Sequence, residues 1–204
     1  RNRDQWHTQT RSAKAAVLTN HQPEPLVEVN GNDALKLGIE EGGLAVLSHR
    51  DQQLIARVKI CDTQHRGGLF MPIHWSHSNS NQGCVSKLVA PSFDPISGQP
   101  AFKQSQVSIK PWHAQSNGIL VVKQPLNVEL CRYQVEQRVN GGYCYYLASE
   151  CSVENLLKLL QEHIDSSCLD ALSASDPRAN YYREHYLQNG KLIAGIMVAP
   201  TIND

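Results

Sequence analysis

The chain opens on Arg1-Asn2-Arg3-Asp4-Gln5-Trp6-His7-Thr8-Gln9-Thr10-Arg11, which packs guanidinium, amide, indole, imidazole and hydroxyl groups into eleven positions. A guanidinium donates two parallel hydrogen bonds that match a phosphate. Indole and imidazole rings offer flat faces to a heterocycle, and threonine hydroxyls add neutral donors. A polar, ring-containing, phosphorylated ligand asks for this mixture. The other reading of the same residues is a frayed terminal tail. A second polar cluster, Asp94-Pro95-Ile96-Ser97-Gly98-Gln99-Pro100-Ala101-Phe102-Lys103, ends on a lysine that could set a point charge against a phosphate or a ring oxygen. Its plainer reading is a surface turn with a solvated lysine. His74 and His77 flank Trp75 at H-x-x-H spacing. On a helix they could share a metal, but Ser76, Ser78 and Asn79 disfavour a helix and no third ligand is evident. A loop lining a pocket is the better reading there.

Several chemistries are excluded by what is missing. The chain holds neither G-x-G-x-x-G nor G-x-x-x-x-G-K-[ST] for a nucleotide, and no G-x-S-x-G elbow. Nineteen Lys plus Arg balance nineteen Asp plus Glu, which disfavours a nonspecific nucleic-acid binder, whose affinity comes from neutralising phosphates. The apolar runs are far shorter than the roughly 20 residues of a membrane span, and no signal-peptide pattern opens the chain. Expected partners therefore include neither nucleic acid nor membrane. Because the first residue is Arg1, the molecule is expected to be a piece of a larger protein. The six cysteines are widely and irregularly spaced, with no C-x-x-C pair. They read as reduced, mostly buried thiols of a cytoplasmic chain.

The elements that must position these clusters follow from pattern. The chain has 204 residues, 41 % hydrophobic and 19 % charged, enough to bury a core without disulfides. Leu26, Val27 and Val29 form a short strand. Residues 32–37 make one or two helical turns, with Asn30 or Asn32 as N-cap and Gly38 as the stop. Residues 44–48 and 53–60 read as strands, the second alternating Leu54, Ala56, Val58 and Ile60. Residues 69–73 form a further short apolar run and 106–109 a closing strand. The stretch 76–104 is an irregular loop of the kind that is more often functional than idle. Beyond it, 118–123 and 143–148 read as strands. Ser152 caps a helix over 153–164 whose Val153, Leu156, Leu157 and Leu160 share a face. Asn189-Gly190 joins two strands into a hairpin. Short strands broken by glycine turns favour a small barrel over a doubly wound sheet. The expected fold class is mainly β with an α+β tail: a β-rich unit over residues 1–111 and a small α+β unit over 112–204.

QWHTQTR near the start, HQPEPLVEVN at 21–30, LFMPIHW at 69–75, SKLV at 86–89 and DPISGQPAFK at 94–103 occur in this order. Together they resemble the C-terminal cofactor-binding domain of the molybdopterin oxidoreductase family. PIHW and DP-x-SGQP-x-FK are most like the assimilatory nitrate reductase branch. The likeness covers residues 1 to about 111 well. The tail, DPRANYYREHYLQNGKLIAGIMVAP at 176–200, is similar in a less specific way.

The resemblance implies a double-psi β-barrel, also known as the aspartate-decarboxylase-like barrel. It implies one or both molybdopterin guanine dinucleotides holding molybdenum (Mo-bis-MGD in the intact enzyme). By position, Arg1, Asn2, Arg3, Asp4, Gln5, Trp6, His7 and Thr8 would wrap the pterin and phosphate part, and Ser86 and Lys103 would add two further cofactor contacts. Ser86 stands where an asparagine is common in the family, and a hydroxyl offers fewer contacts. Ile73, His74 and Trp75 fall where relatives line the substrate funnel, and a protonated His74 would attract an oxyanion. The metal ligand and the cysteine cluster of an iron–sulfur centre have no counterpart in the chain, so no catalytic or metal-binding residue is expected in it, and the fragment is expected to be inactive alone. The implied partners are the rest of the catalytic subunit, an electron-donor protein or flavin/iron–sulfur subunit, and a small oxyanion substrate, nitrate being reduced to nitrite. The alternatives are the equivalent domain of a formate dehydrogenase-like molybdoenzyme, and a non-catalytic binding module on the same barrel.

Overall fold

A computed structural model describes residues 5–103 and 105–202. In chain order the elements are α1 (Ala16–Thr19), β1 (Leu26–Val29), α2 (Gly31–Leu37), β2 (Leu44–His49), β3 (Gln52–Ile60), β4 (Leu69–Phe70), β5 (Ser108–Trp112), β6 (Ser116–Val122), β7 (Tyr133–Val139), β8 (Gly142–Ser149), α3 (Val153–Gln161), β9 (Asp170–Asp176), β10 (Tyr181–Gln188) and β11 (Lys191–Ala199). The fold is mainly β, with one five-stranded and one six-stranded sheet. The chain divides into two units, Arg1–Thr10 with Glu24–His113, and Arg11–Pro23 with Ala114–Asp204.

In the first unit the strand order is β4-β1-β3-β2-β5. Strands β1 and β3 are parallel and the other pairs antiparallel. Alternation along β3 turns Leu54, Ala56 and Val58 into the core with Val27, Val29, Ala45, Leu47 and Leu88. Each fully buried Val or Leu contributes about 1.5–3 kcal/mol. Helix α2 begins where Asn30 Oδ1 accepts from the Asn32 N–H at 3.0 Å. It ends at Gly38, whose φ of 65° is the left-handed conformation that a helix stop requires.

In the second unit the order is β7-β8-β6-β11-β10-β9 and every pairing is antiparallel. Val153, Leu156 and Leu160 of α3 pack on Leu120, Leu147, Ile196 and Val198. The Ser152 hydroxyl caps the helix by accepting from the Asn155 N–H at 3.3 Å. Asn189 and Gly190 both take positive φ, 51° and 74°, giving β10 and β11 the two-residue turn that matches strand twist.

Three expectations are corrected. Residues 11–23, expected within a 1–111 unit, belong to the second unit, where Gln137 Nε2 donates to Thr19 Oγ1 at 3.1 Å and to Asn20 Oδ1 at 2.7 Å. Strands β7 and β9 go beyond the elements expected. In β9, Asp-Ala-Leu-Ser-Ala-Ser-Asp is exposed throughout and is extended only because β10 pairs with it. None of the six cysteines is in a disulfide, but only Cys131 and Cys144 are buried; Cys168 is exposed. Among the described residues no helix is long and apolar enough to cross a membrane.

Candidate functional site

The opening segment is a tight turn. The Gln9 N–H donates to the Trp6 carbonyl at 3.1 Å, and Gln9 itself takes φ 58°. Two groups hold this turn. His74 Nδ1 lies 3.0 Å from the Trp6 carbonyl oxygen and 3.0 Å from that of His7. Both neighbours are pure acceptors, so Nδ1 carries the proton and donates. Asn79 Nδ2 donates to Gln9 Oε1 at 2.9 Å. Asn79 is set in turn by its Oδ1, which accepts from the Ser76 N–H at 2.8 Å.

Pinned this way, the turn leaves Trp6, His7 and Thr8 exposed, Trp6 by 56 %. The Trp6 and His7 rings meet edge to face, with centroids 6.0 Å apart. Gln5, which sequence also placed on the ligand, is buried. Arg1, Asn2, Arg3 and Asp4 lie outside the described residues.

The placement of His74 and Trp75 on a funnel wall is corrected. His74 is fully buried and Trp75 nearly so, and the His74 imidazole is engaged with backbone carbonyls rather than turned to an oxyanion. Of the three funnel residues only Ile73 is exposed. Trp75 is packed by Gly83, where a Cβ would come within 2.8 Å of the Trp75 Cβ and 2.9 Å of the Ser80 hydroxyl. His77 is exposed while His74 is buried, so the H-x-x-H pair does not face one point. No group of three metal-ligating side chains occurs among the described residues.

Ser86 sits exposed on a single 3-10 turn, Val85–Leu88, with its hydroxyl 3.1 Å from Cys84 Sγ. The turn is anchored by Leu88, which is buried in the first unit's core. The DPISGQP stretch largely builds itself. Asp94 Oδ1 accepts from the N–H groups of Ile96 at 2.9 Å and Ser97 at 2.7 Å, and from the Ser97 hydroxyl at 3.1 Å. Those donors, the Ser97 N–H foremost, hold the Asp94 carboxyl below its ordinary pKa. Gly98 closes the turn at φ 69°. Beyond it Phe102 and Lys103 are exposed, and Lys103 makes no hydrogen bond or ion pair with the described residues. Thr8, Ser86 and Lys103 are thus all exposed on the first unit.

Sequence reasoning missed Gln9 and Asn79. The polar run from Ser76 to Gly83 shows no apolar period, and so nothing marked Asn79 and Ser80 as buried. A left-handed glutamine likewise has no sequence signature.

The first unit thus offers exposed rings and hydroxyls on a turn held by His74 and Asn79, with an exposed lysine on a second loop, chemistry that suits a polar ring-bearing ligand. Residues 1–106 match the Molydopterin dinucleotide binding domain family, and the chain belongs to that family. Its cofactor is accordingly a molybdopterin dinucleotide. The chain is similar to the nitrate reductase of Klebsiella oxytoca, 42 % identical over 124 residues, covering 61 % of this chain and 14 % of that protein. It is similar to the nitrate reductase of Shewanella frigidimarina, 28 % identical over 166 residues, covering 72 % of this chain and 18 % of that protein. It is also similar to formate dehydrogenase H of Escherichia coli, 29 % identical over 112 residues, covering 53 % of this chain and 15 % of that protein. The chain therefore spans less than a fifth of the length of each of these relatives.

The residues present suit such a cofactor. Trp6 and His7 offer ring faces, Thr8 a hydroxyl and Lys103 an exposed positive charge. Gln9 Nε2 is a buried donor with no acceptor among the described residues.

Proposed function

We propose that the first unit is the cofactor-holding domain of a molybdenum-dependent nitrate reductase of the assimilatory type. On this reading its strands form a double-psi β-barrel and its ligand is the guanine form of the dinucleotide. The observation that carries the reading is the exposed Trp6-His7-Thr8 turn, held from beneath by His74. The 42 % identity to the Klebsiella oxytoca protein supports nitrate as the substrate of the intact enzyme. The PIHW and DPISGQPAFK wording supports the assimilatory type.

When bound, the cofactor would supply redox chemistry for oxygen-atom transfer from an oxyanion. The chain's own residues bind and orient. Trp6 and His7 lie against flat rings, Thr8 and Ser86 hydrogen-bond through their hydroxyls, and the Lys103 ammonium offsets phosphate charge. Exposed Ile73 gives an apolar wall beside the substrate path. The rest of the catalytic subunit, with its iron–sulfur cluster, and an electron-donor protein or flavin/iron–sulfur subunit complete the enzyme. A cytoplasmic location goes with six cysteines outside any disulfide. The chain alone binds without turning over nitrate.

The test is titration of the chain with molybdopterin guanine dinucleotide and with GDP, read by tryptophan fluorescence. Binding is expected, with Lys103→Ala raising Kd about three- to tenfold, the worth of one lost hydrogen bond or charge contact. Absence of binding, or full nitrate turnover by the chain alone with an artificial donor, overturns the reading. The second reading is a formate dehydrogenase-like parent, favoured by the 29 % identity to formate dehydrogenase H. It shares the cofactor, and nitrate against formate turnover by the complete catalytic subunit separates the two.

A further inference from the structure

Three buried polar atoms lack a hydrogen-bond partner among the described residues: Gln9 Nε2, His49 Nε2 and Gln137 Oε1. Only the first has to be a donor. His49 Nδ1 lies 2.6 Å from the Gln106 carbonyl and so carries the ring proton, which leaves Nε2 a lone pair in the neutral imidazole. Gln137 Oε1 is an acceptor whose amide nitrogen is already bound to Thr19 and Asn20.

For Gln9 the amide orientation follows from the backbone. The Ser76 N–H can only donate, so the atom it meets at 2.8 Å is Asn79 Oδ1. Asn79 therefore turns Nδ2 to Gln9, and the Gln9 atom it meets at 2.9 Å is Oε1. What remains is Nε2, with two N–H bonds and no acceptor among the described residues, on a residue only 5 % exposed. Buried donors without acceptors are rare because burial strips their water. The same residue holds the left-handed φ of 58°, which glutamine adopts reluctantly. Glycine would relieve the backbone and methionine would remove the orphan, yet the sequence keeps an amide there. Costs gathered at one residue beside exposed Trp6, His7 and Thr8 are the mark of a binding position.

We infer that Gln9 Nε2 donates a hydrogen bond to an oxygen or ring-nitrogen acceptor of the bound dinucleotide, its carbonyl being held in place by Asn79. This rests on reading the first unit as the dinucleotide-binding domain. The experiment follows the Gln9 side-chain amide by 1H–15N NMR, assigned through its own backbone, during titration of the 204-residue chain with molybdopterin guanine dinucleotide and, separately, GDP. The amide protons are expected to move downfield on binding, and the arm in which they move tells the nucleotide half from the pterin half. Gln9→Met is expected to weaken binding about fivefold or more, the worth of one hydrogen bond. Asn79→Ala removes the bond that orients the Gln9 amide but keeps the donor, and is expected to weaken binding measurably but less than Gln9→Met does. Equal losses in the two variants, or an unmoved Gln9 amide at saturation, overturn the inference and leave the cofactor reading standing. Failure of the wild-type chain to bind overturns both. Should Gln9→Met not fold, the wild-type amide shift decides by itself.

Discussion

The His74 imidazole donates one buried proton toward two carbonyls at once, those of Trp6 and His7, each 3.0 Å from Nδ1. A residue that sequence placed on a substrate path is thus the post on which the exposed turn is mounted. His74→Leu leaves both carbonyls without this donor in a buried place, which costs about 2–4 kcal/mol. His74→Asn sets an amide nitrogen near the Nδ1 position and recovers about half of that loss. Urea unfolding of the three chains checks the ordering, and equal stability of wild type and His74→Leu would refute it.

Gly83 is there for space. A methyl at this position meets the Trp75 Cβ at 2.8 Å and Ser80 at 2.9 Å, so Gly83→Ala forces the 75–80 segment to shift, at about 1–3 kcal/mol. At Gly118 a methyl meets Leu156 Cδ2 at 3.3 Å, the mobile end of a side chain. Gly118→Ala is therefore milder, about 1 kcal/mol or less. Thermal denaturation of both variants tests the ranking.

Two phenols in the second unit make the chain sensitive to alkali. Burial, followed by the hydrogen bond to Glu184, pushes the Tyr186 hydroxyl up to about 12. Burial and the Glu136 carboxylate push Tyr145 higher still. An unfolded tyrosine ionises near 10, so between pH 10 and 12 the unfolded chain gives up protons that the folded chain keeps. Stability from these groups is complete below pH 10 and falls as pH rises toward 12. Urea midpoints at pH 8, 10 and 11 should drop in that order. In Tyr186→Phe the drop should be shallower, with Gln161 Nε2 still donating to both Glu184 oxygens at 2.9 and 3.0 Å. A flat profile for the wild type would refute this.

Thiol reactivity should follow burial. Exposed Cys168 is expected to react with a disulfide reagent first, within the dead time of manual mixing. Burial pushes the Cys131 thiol up to about 12, with neighbouring Cys151 adding to the shift. Cys131 should therefore react only as the second unit unfolds. Mass spectrometry of the partly labelled chain reads the order, and early labelling of Cys131 would contradict the buried position of that residue.

Much of the scaffold was legible because it is built by local rules. The alternation of Leu54, Ala56 and Val58, the Asn30 cap with its Gly38 stop, the Ser152 cap and the Asn189-Gly190 turn each depend on neighbours a few residues away. Strand β9 was not legible because its composition is unlike a strand and its conformation comes wholly from pairing with β10. The assignment of residues 11–23 depended on Gln137, more than a hundred positions downstream.

By itself the sequence determined which chemical groups the chain can bring to a ligand: rings and hydroxyls on the opening turn, a hydroxyl at Ser86 and a charge at Lys103. Residue type fixes that chemistry whatever the fold. The tertiary structure decided which of those groups are offered outward and which are consumed in holding the others. It buried His74 and Asn79 under the turn, left Trp6 and Thr8 in the open, and stranded one amide of Gln9. Such choices depend on where distant backbone carbonyls and N–H groups end up, and no spacing along the chain encodes that.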